Sequence, residues 1–373
     1  MSRTKVTTFV GTRPEIIRLS SIIEKFDELF DHRLIHTGQN PDPLLRDVFL
    51  KELDVRNPDL FFKDNHDSLG TFLANLLVET ERELISNRPD AILILGDTNS
   101  ALSAIIAKRM GIAIYHLEAG NRSFDSNVPE EINRRIVDHI ADMNFPYSEL
   151  ARANLINEGI HPRKLALMGS PLPEVFAKFL PNINSSQILN KLELVKSNYF
   201  LVSAHRQENV DSEERLTMLL NTLCRIRDEY GLPVLVSTHP RTRKKLENLS
   251  KSNIDGIIFH EPFGFFDYNN LQLNARLVLS DSGTISEESV ILGFPALTIR
   301  DSMERPEALE SGSIVMCGID GDEVLNAIEY ITKSPKPMTP PKEYQFPDTS
   351  TRVANVLIST VHRQKFWNGL RDL

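Results

Sequence analysis

The sequence predicts an α/β protein that contains two doubly wound parallel sheets. Short apolar runs rich in β-branched residues alternate with amphipathic segments along nearly all of the 373 residues. Continuous apolar strands between helices are typical of parallel sheets that are covered on both faces. The chain is long for one domain, and the alternation breaks near residues 170–190, where closely spaced prolines occur. These observations divide the chain into two similar halves.

Each half contains six predicted strands. Those of the first half are residues 5–10, 33–37, 91–96, 112–117, 142–146 and 165–169. Those of the second half are residues 199–204, 233–238, 256–260, 276–281, 295–299 and 313–317. The segments between them have helical spacing, as in Leu19, Ile22, Ile23 and Phe26, which share one helix face.

The domain boundaries follow from this alternation. We expect a first domain over residues 1–175, a second over residues 176–350, and a last helix at about 351–373 that packs back on the first domain. Each would be a Rossmann-like domain, and the two would face each other across a deep cleft, where a nucleotide ligand is expected.

Composition excludes several classes of protein. With 42 Lys and Arg against 51 Asp and Glu, the net charge is −9, which argues against a surface for nucleic acid. The two cysteines, Cys224 and Cys317, exclude a disulfide framework and a cysteine-based zinc cluster. No apolar run has the length of a secretory signal or a membrane span. We expect a cytoplasmic protein without membrane insertion.

The turn after the first predicted strand suits an anion. That strand leads into Gly11, Thr12 and Arg13, and a helix follows. Gly11 permits a tight turn, the helix N-terminus offers N–H groups, and Arg13 adds a fork-shaped donor for phosphate. A capped turn with a solvated arginine explains the same residues, so this motif alone does not assign a phosphate site.

Three carboxylates are predicted at one edge of the first sheet. Asp97 and Glu118 follow predicted strands, and Glu130 lies at the start of a helix that also contains Arg134. Taken singly, Asp97 could cap a helix and Glu130 could be a favourable first-turn charge. Taken together, they indicate acid–base chemistry, with pKa values that mutual repulsion can raise.

Two histidines follow strands of the second half. His205, beside Arg206, comes after residues 199–204, and His239 comes after residues 233–238. A single histidine is more often a packing or surface residue than a catalyst. Each of these, however, follows a strand and has an arginine close by, which makes both candidates for the site.

A loop of small residues opens a helix later in the second half. In Ser282, Gly283 and Thr284, small side chains let phosphate oxygens approach backbone N–H groups. Glu288 follows about one turn later, where a carboxylate can bind the two hydroxyls of a ribose. The sequence has no Walker A motif and no Gly-x-Gly-x-x-Gly after a strand, so P-loop and dinucleotide readings are unsupported.

A nucleoside diphosphate sugar fits the glycine turn, the small-residue loop and the ribose carboxylate. Two Rossmann-like domains around such a ligand describe the GT-B-like architecture, which many glycosyltransferases share with one family of epimerases. No spacing of ligand residues predicts a metal site.

The ordered motifs resemble those of the non-hydrolysing UDP-N-acetylglucosamine 2-epimerases over nearly the full chain. The matching segments are GTRPEII (11–17), GDTNS (96–100), HLEAGNRS (116–123), PEEINRRIVDH (129–139), GSP (169–171), SAHRQEN (203–209), DSGTISEE (281–288) and RDSMERPEAL (300–309). The resemblance implies that UDP is eliminated as the C2 proton is removed, giving a 2-acetamidoglucal, and is then re-added after C2 is reprotonated on its other face. It also implies a homodimer and a reaction that needs neither a metal nor NAD.

The resemblance assigns roles by motif position. The catalytic group would be Asp97, Glu118, Glu130, Arg134 and His205. UDP would be bound by Arg13, His239, Ser282, Gly283, Thr284 and Glu288. The remaining substrate contacts would come from Arg18, Asn133 and Arg206. Which carboxylate takes the proton from C2 is left open.

One segment suggests the substrate. Residues 120–139, GNRSFDSNVPEEINRRIVDH, look closer to the branch that converts UDP-2-acetamido-2,6-dideoxy-L-talose to UDP-N-acetyl-L-fucosamine for capsule or O-antigen synthesis. The alternatives are conversion of UDP-GlcNAc to UDP-ManNAc, a 2,3-diacetamido uronic acid substrate and, from another class, a GT-B glycosyltransferase. Residues 39–42 lack the Gln-His-Arg-Glu run of the allosteric UDP-GlcNAc site in common members, so that regulation is not expected.

Overall fold

The computed structural model divides the chain into two compact units. The described residues are 3–40, 46–63, 68–125, 127–204, 209, 212–238, 242–243, 245–246, 254–302, 304–333 and 340–370. The first unit comprises Met1–Ala177 and Lys342–Leu373, and the second comprises Lys178–Pro341. The boundary between Ala177 and Lys178 falls inside a helix, close to the expected boundary at residue 175.

Each unit contains a six-stranded sheet in the described part of the chain. The strands of the first sheet are β1 (Lys5–Val10), β2 (Asp31–His36), β3 (Leu60–Phe61), β4 (Ala91–Leu95), β5 (Ala113–Leu117) and β6 (Met143–Phe145). The strands of the second sheet are β7 (Phe200–Ser203), β8 (Val234–Ser237), β9 (Ile257–His260), β10 (Leu277–Ser280), β11 (Ala296–Thr298) and β12 (Val315–Met316).

The two sheets have the same topology. Their strand orders are β3-β2-β1-β4-β5-β6 and β12-β11-β10-β7-β8-β9, and every strand pair is parallel. Both are the Rossmann order, read from opposite ends. In each sheet the first and fourth strands are neighbours, so the connections diverge there and leave a crevice at the carboxyl edge where ligands bind. The predicted α/β class with two Rossmann-like doubly wound sheets is confirmed.

Helices connect and cover the strands. In chain order they are α1 (Arg13–Leu29), α2 (Asp47–Glu52), α3 (Leu69–Ser86), α4 (Ala104–Arg109), α5 (Pro129–Ile140), α6 (Glu149–Asn157), α7 (Leu172–Ser185), α8 (Ile188–Lys191), α9 (Glu213–Tyr230), α10 (Phe265–Asn274), α11 (Ile285–Leu292), α12 (Glu307–Glu310), α13 (Gly321–Lys333), α14 (Thr349–Thr360) and α15 (Gln364–Trp367). All five residues of β4 are buried, as expected for a central strand with helices on both faces. None of the described helices is long and apolar enough to cross a membrane.

One predicted strand is wrong and one strand was missed. Residues 165–169 lie beside β6. The N–H groups of Ala166 and Met168 donate to the carbonyls of Asn144, in β6, and Pro146, just after it, but the segment forms only an isolated bridge at Leu165. The sixth strand is instead β3, which pairs with β2. Two residues are too few to show any periodicity, which explains why the sequence did not reveal β3.

The C-terminal segment belongs to the first unit and joins it at Lys342, earlier than the expected residue 351. Tyr344 is buried there with 2% exposure, and the carbonyl of Glu343 accepts from the N–H of Ser170. Helix α14 then packs against α1. The return therefore starts with a buried aromatic side chain that precedes the last helical pattern.

Candidate active site

Three loops of the first unit meet at the carboxyl edge of its sheet. Gly11 follows β1, Asp97 follows β4 by two residues, and Glu118 follows β5 directly. Strand β4 pairs with both β1 and β5, so the three loops are neighbours. Buried strands fix their starting points, and the polar residues just beyond the strands form the candidate site.

Glu15 joins two of these loops. Its Oε2 accepts from the N–H of Gly11 at 2.8 Å and the N–H of Thr12 at 2.7 Å, while its Oε1 accepts from the hydroxyl of Thr98 at 2.7 Å. Burial raises the pKa of Glu15 to about 7, and the hydrogen bonds oppose that rise. This carboxyl group therefore fixes the loop that carries Asp97 to the start of α1. Glu15 lies in the motif GTRPEII, but no signal in the sequence marks it as part of the site.

Asp97 is held by the start of α5. The Nε of Arg134 donates to Oδ2 of Asp97 at 3.0 Å, and the Nη2 of Arg134 donates to the same oxygen. The side-chain amide of Asn133 donates to the Asp97 carbonyl at 2.9 Å. Arg134 is 2% exposed and Asp97 22% exposed, so a buried cation orients a carboxylate that solvent or a ligand can reach. The structure thus brings together three residues predicted from sequence.

Glu118 has a left-handed backbone conformation and lies beside Arg18. Its φ is +66°, which is uncommon for a residue other than glycine. The Nε of Arg18 lies 3.5 Å from Oε2 of Glu118, and its guanidinium stacks 5.5 Å from the centre of the Tyr147 ring. Arg18 is almost wholly buried. The structure places these two predicted residues together, with Arg18 fixed by α1.

Glu130 and its neighbour Glu131 have different surroundings. Glu130 is exposed in the first turn of α5, whereas Glu131 is 4% exposed. The Oε2 of Glu131 accepts from the N–H of Ser123 at 3.0 Å, and Nη1 of Arg134 lies 3.1 Å from it. Burial would raise the pKa of Glu131, but Ser123, Arg135 and Arg134 lower it below its ordinary value. Glu131 is thus a structural carboxylate, and the catalytic role of Glu130 stays a prediction.

In the second unit, the predicted phosphate loop joins β10 to α11. The Ser282 and Thr284 hydroxyls are 2.9 Å apart, and the N–H of Ser282 donates to Oγ of Ser280 at 3.0 Å. A side chain in place of Gly283 would lie 3.0 Å from Nη1 of Arg305, so glycine lets this arginine reach the loop. The Nη1 of Arg305 also donates to the Gly283 carbonyl. Arg305 therefore holds the loop through the carbonyl of Gly283.

Glu288 is oriented by a residue that the sequence analysis missed. The Nε2 of Gln272, on α10, donates to Oε2 of Glu288 at 2.7 Å. Gln272 is fully buried and Glu288 partly exposed. One carboxylate oxygen is fixed by the protein and the group still reaches the surface, which suits recognition of a hydroxyl. No sequence motif marks Gln272, because it acts from another helix.

Arg13 lies at the N-terminus of α1, where its guanidinium stacks 5.5 Å from the centre of the Phe49 ring. Three further predicted site residues, His205, Arg206 and His239, lie outside the described residues. Within the described ranges, no three His, Cys, Asp or Glu side chains are grouped so that they could hold a metal ion.

Two Rossmann-like units, one with carboxylates and arginines at its sheet edge and one with a phosphate-type loop, define the class of GT-B-like proteins that act on nucleotide sugars. The UDP-N-acetylglucosamine 2-epimerase family matches residues 24–358. The chain belongs to this family, as the sequence motifs predicted, and the protein is an isomerase rather than a glycosyltransferase.

Solved structures and a curated relative agree with this family. The UDP-N-acetylglucosamine 2-epimerase from Rickettsia bellii superposes with a TM-score of 0.92 at 42% identity, over 97% of this chain and 98% of that chain. The UDP-GlcNAc 2-epimerase from Methanocaldococcus jannaschii, in complex with UDP-GlcNAc and UDP, gives 0.90 at 33% identity, over 95% and 100%. The UDP-2,3-diacetamido-2,3-dideoxy-D-glucuronate 2-epimerase from Pseudomonas aeruginosa is 31% identical over 330 residues, 87% of this chain and 91% of that protein.

Proposed function

We propose that the protein inverts C2 of a UDP-linked 2-acetamido sugar by eliminating and re-adding UDP. The observation that carries this proposal is the placement of Asp97 and Glu118 after the neighbouring strands β4 and β5, each beside a nearly buried arginine. Inversion without a redox cofactor needs bases on both faces of the sugar ring, and a set of carboxylates can supply them.

The chemistry explains why both arginines and carboxylates are needed. The C2–H bond has no adjacent carbonyl and is a poor acid. Departure of the diphosphate develops positive charge at C1, which makes C2 more acidic, and cationic donors stabilise the leaving phosphate. In the proposed reaction the electron pair of C2–H forms the C1–C2 double bond as the C1–O bond breaks, and a base takes the proton. Reprotonation of the opposite face of C2 and re-addition of UDP complete the inversion.

The second unit is proposed to recognise UDP. Backbone N–H groups at the start of α11, in the loop of Ser282, Gly283 and Thr284, suit the diphosphate. Glu288, oriented by Gln272, suits the ribose hydroxyls. Arg13 is proposed as a further phosphate donor from the N-terminus of α1.

As the substrate we propose UDP-2-acetamido-2,6-dideoxy-L-talose, converted to UDP-N-acetyl-L-fucosamine for capsule or O-antigen synthesis. Residues 120–139, whose resemblance to that branch supports this choice, supply Asn133 and Arg134 to the site. UDP-GlcNAc is the second candidate, because the relatives from Rickettsia and Methanocaldococcus carry its name. A homodimer working without a metal or NAD completes the proposal.

Proton NMR in D₂O tests these statements together. The purified protein is given UDP-2-acetamido-2,6-dideoxy-L-talose and UDP-GlcNAc in parallel. The proposal expects an intact UDP-sugar epimer with deuterium at C2 from the first substrate only. Conversion of UDP-GlcNAc alone would overturn the substrate but keep the reaction. No exchange with either, or release of free UDP, would overturn the reaction itself.

A further inference from the structure

Glu118 needs its surroundings to hold it in place. A glutamate at φ +66° is in a strained backbone region that persists only where neighbouring contacts impose it. One such contact is the Glu118 N–H, which donates to the carbonyl of Phe145 at 3.2 Å. In addition, residues before and after Glu118 in the chain contact one buried carboxylate.

That carboxylate belongs to Asp138, on α5. Its two oxygens each lie 3.3 Å from the N–H of Gly120. The Nδ1 of His116 lies 3.0 Å from Oδ1, and the Nη2 of Arg122 lies 2.8 Å from Oδ2. Asp138 therefore contacts the residue two positions before Glu118 and the residues two and four positions after it. The Asp138, His116 and Arg122 side chains are all fully buried.

The same network reaches the loop of Asp97. The Nε2 of His116 lies 2.8 Å from the carbonyl of Gly96, the residue before Asp97, and the Gly96 N–H donates to the Leu117 carbonyl at 2.8 Å. A chain of contacts thus runs from Asp138 through His116 to the backbone that carries Asp97. One buried carboxylate thus contacts the loop that presents Glu118 directly and reaches the loop that presents Asp97 through His116.

The charge state of His116 follows from its partners. Its Nε2 lies 2.8 Å from a carbonyl oxygen and its Nδ1 lies 3.0 Å from a carboxylate oxygen. Neither oxygen can donate a proton, so this arrangement favours the doubly protonated ring. Burial lowers the pKa of His116, but Asp138 and the other acceptors raise it above the ordinary value on balance. Arg122 also donates to Glu158, at the end of α6, at 2.8 Å, and Nη1 of Arg135 lies 3.5 Å from the same carboxylate.

We propose that Asp138 is a positioning residue for the epimerisation: through His116 and Gly120 it sets the position of Glu118 relative to Asp97. Asp138 is fully buried, and in this proposal it does not contact the substrate. The proposal rests on the proposed function, in which both carboxylates serve the same sugar ring. A misplacement of about 1 Å can lower a rate about 10²-fold, so such a device affects turnover more than binding.

The variant Asp138→Asn tests this role. Asparagine has nearly the same shape and keeps one oxygen for the Gly120 N–H, but it offers no charge to His116 or Arg122. We expect kcat to fall about 10²-fold while KM for the UDP-sugar stays within about threefold.

The matched control is Asp142→Asn. Asp142 is also a buried carboxylate, 3% exposed, which accepts from the N–H of Ile114 at 2.9 Å and pairs with Lys108. It precedes β6, at the sheet edge opposite the candidate site. We expect it to lower the unfolding temperature as Asp138→Asn does, with kcat changed less than about threefold. Equal losses of kcat in both variants, or none in either, would overturn the positioning role.

A second readout does not depend on activity. In ¹⁵N NMR of the histidine rings, His116 should have both nitrogens protonated at about pH 7.5 in the wild type and should become neutral in Asp138→Asn. If Asp138→Asn does not fold, His116→Gln replaces it, because glutamine can still donate to the Gly96 carbonyl but offers no charge to Asp138. A neutral His116 in the wild type overturns the proposal. A wild type that exchanges no C2 proton refutes the proposed function instead, while the ring measurement still reports on the network.

Discussion

Arg134 uses two of its nitrogens on a single oxygen of Asp97: Nε lies 3.0 Å from Oδ2, and Nη2 donates to the same atom. Its third nitrogen, Nη1, lies 3.1 Å from Glu131, which is itself held by Ser123. The guanidinium therefore cannot turn without breaking contacts on both sides. Arg134, on α5, thereby fixes the orientation of the Asp97 carboxylate, which lies on a loop.

Replacing Arg134 should lower turnover. Arg134→Lys keeps the charge but loses the fork that contacts both Asp97 and Glu131. We expect kcat to fall by about 10²-fold, because Asp97 loses its fixed orientation. The control is Arg135→Lys, since Arg135 is half-exposed and pairs with Glu131 from outside. Steady-state kinetics should show a far smaller effect for the control, and similar losses in both variants would contradict the prediction.

Glutamine substitutions at the adjacent Glu130 and Glu131 should affect different properties of the protein. Glu131→Gln removes the charge from a buried carboxylate with several donors, so the free energy of unfolding should fall by about 1–3 kcal/mol. Glu130 is exposed, and Glu130→Gln should change stability by less than about 0.5 kcal/mol. If Glu130 is a base, however, its variant loses deuterium exchange at C2. Urea titration and the NMR assay measure the two quantities separately, and normal exchange in Glu130→Gln would remove it from the candidate bases.

The stability of the protein should depend on pH through Glu15. Burial raises its pKa from 4.5 to about 7 in the folded protein. Between these pH values the folded state holds a proton that the unfolded chain has released, so this group makes the free energy of unfolding fall as the pH rises. The effect reaches about 3 kcal/mol over the whole interval.

Glu15→Gln should remove this dependence. Glutamine can still accept from the N–H groups of Gly11 and Thr12 and can donate to Thr98. Urea unfolding of both proteins between about pH 4.5 and about pH 7.5 measures this. The free energy of unfolding of the wild type minus that of the variant should decline as the pH rises. The control is Glu81→Gln, which removes one carboxylate from an exposed position of the same unit. A difference for Glu15→Gln that stays constant with pH would contradict the raised pKa of Glu15.

UDP recognition should depend on Gln272 through Glu288. Gln272→Met removes the donor 2.7 Å from Glu288 while keeping the side-chain volume, so we expect UDP to bind about tenfold more weakly. The ligand 2′,3′-dideoxy-UDP lacks the ribose hydroxyls and should bind the variant and the wild type equally. Calorimetry with both ligands checks this. A loss of affinity for the dideoxy ligand too would mean that Glu288 does not contact the ribose.

Epimerisation should continue after divalent metal ions have been removed from the protein. Elimination and re-addition of UDP need no metal in the proposed route, where arginines stabilise the leaving diphosphate. We expect the rate of C2 deuterium exchange to change less than about twofold after the protein is treated with EDTA and desalted. Loss of exchange that returns on addition of Mg²⁺ or Mn²⁺ would contradict this expectation.

Much of the fold was predictable because parallel sheets leave strong sequence signals. Buried strands such as β4 are continuous apolar runs, and both halves repeat them between helices. The sheet edge that carries Asp97 and Glu118 was predictable for the same reason, since each residue comes at or just after the end of such a strand. The short β3 and the bridge at Leu165 were not, because edge segments have too few residues for a pattern.

The sequence by itself determined the two Rossmann-like sheets, the family, and the polar residues that follow the strands. Only the tertiary structure decided how those residues are held: which of two adjacent glutamates is buried, that Arg134 rather than Arg135 orients Asp97, and that Glu15, Asp138 and Gln272 support the site. Local patterns encode burial and chain direction over a few residues. The partners of a buried charge come from other elements, as for Arg134 and Asp97, which are 37 positions apart, so only packing can specify them.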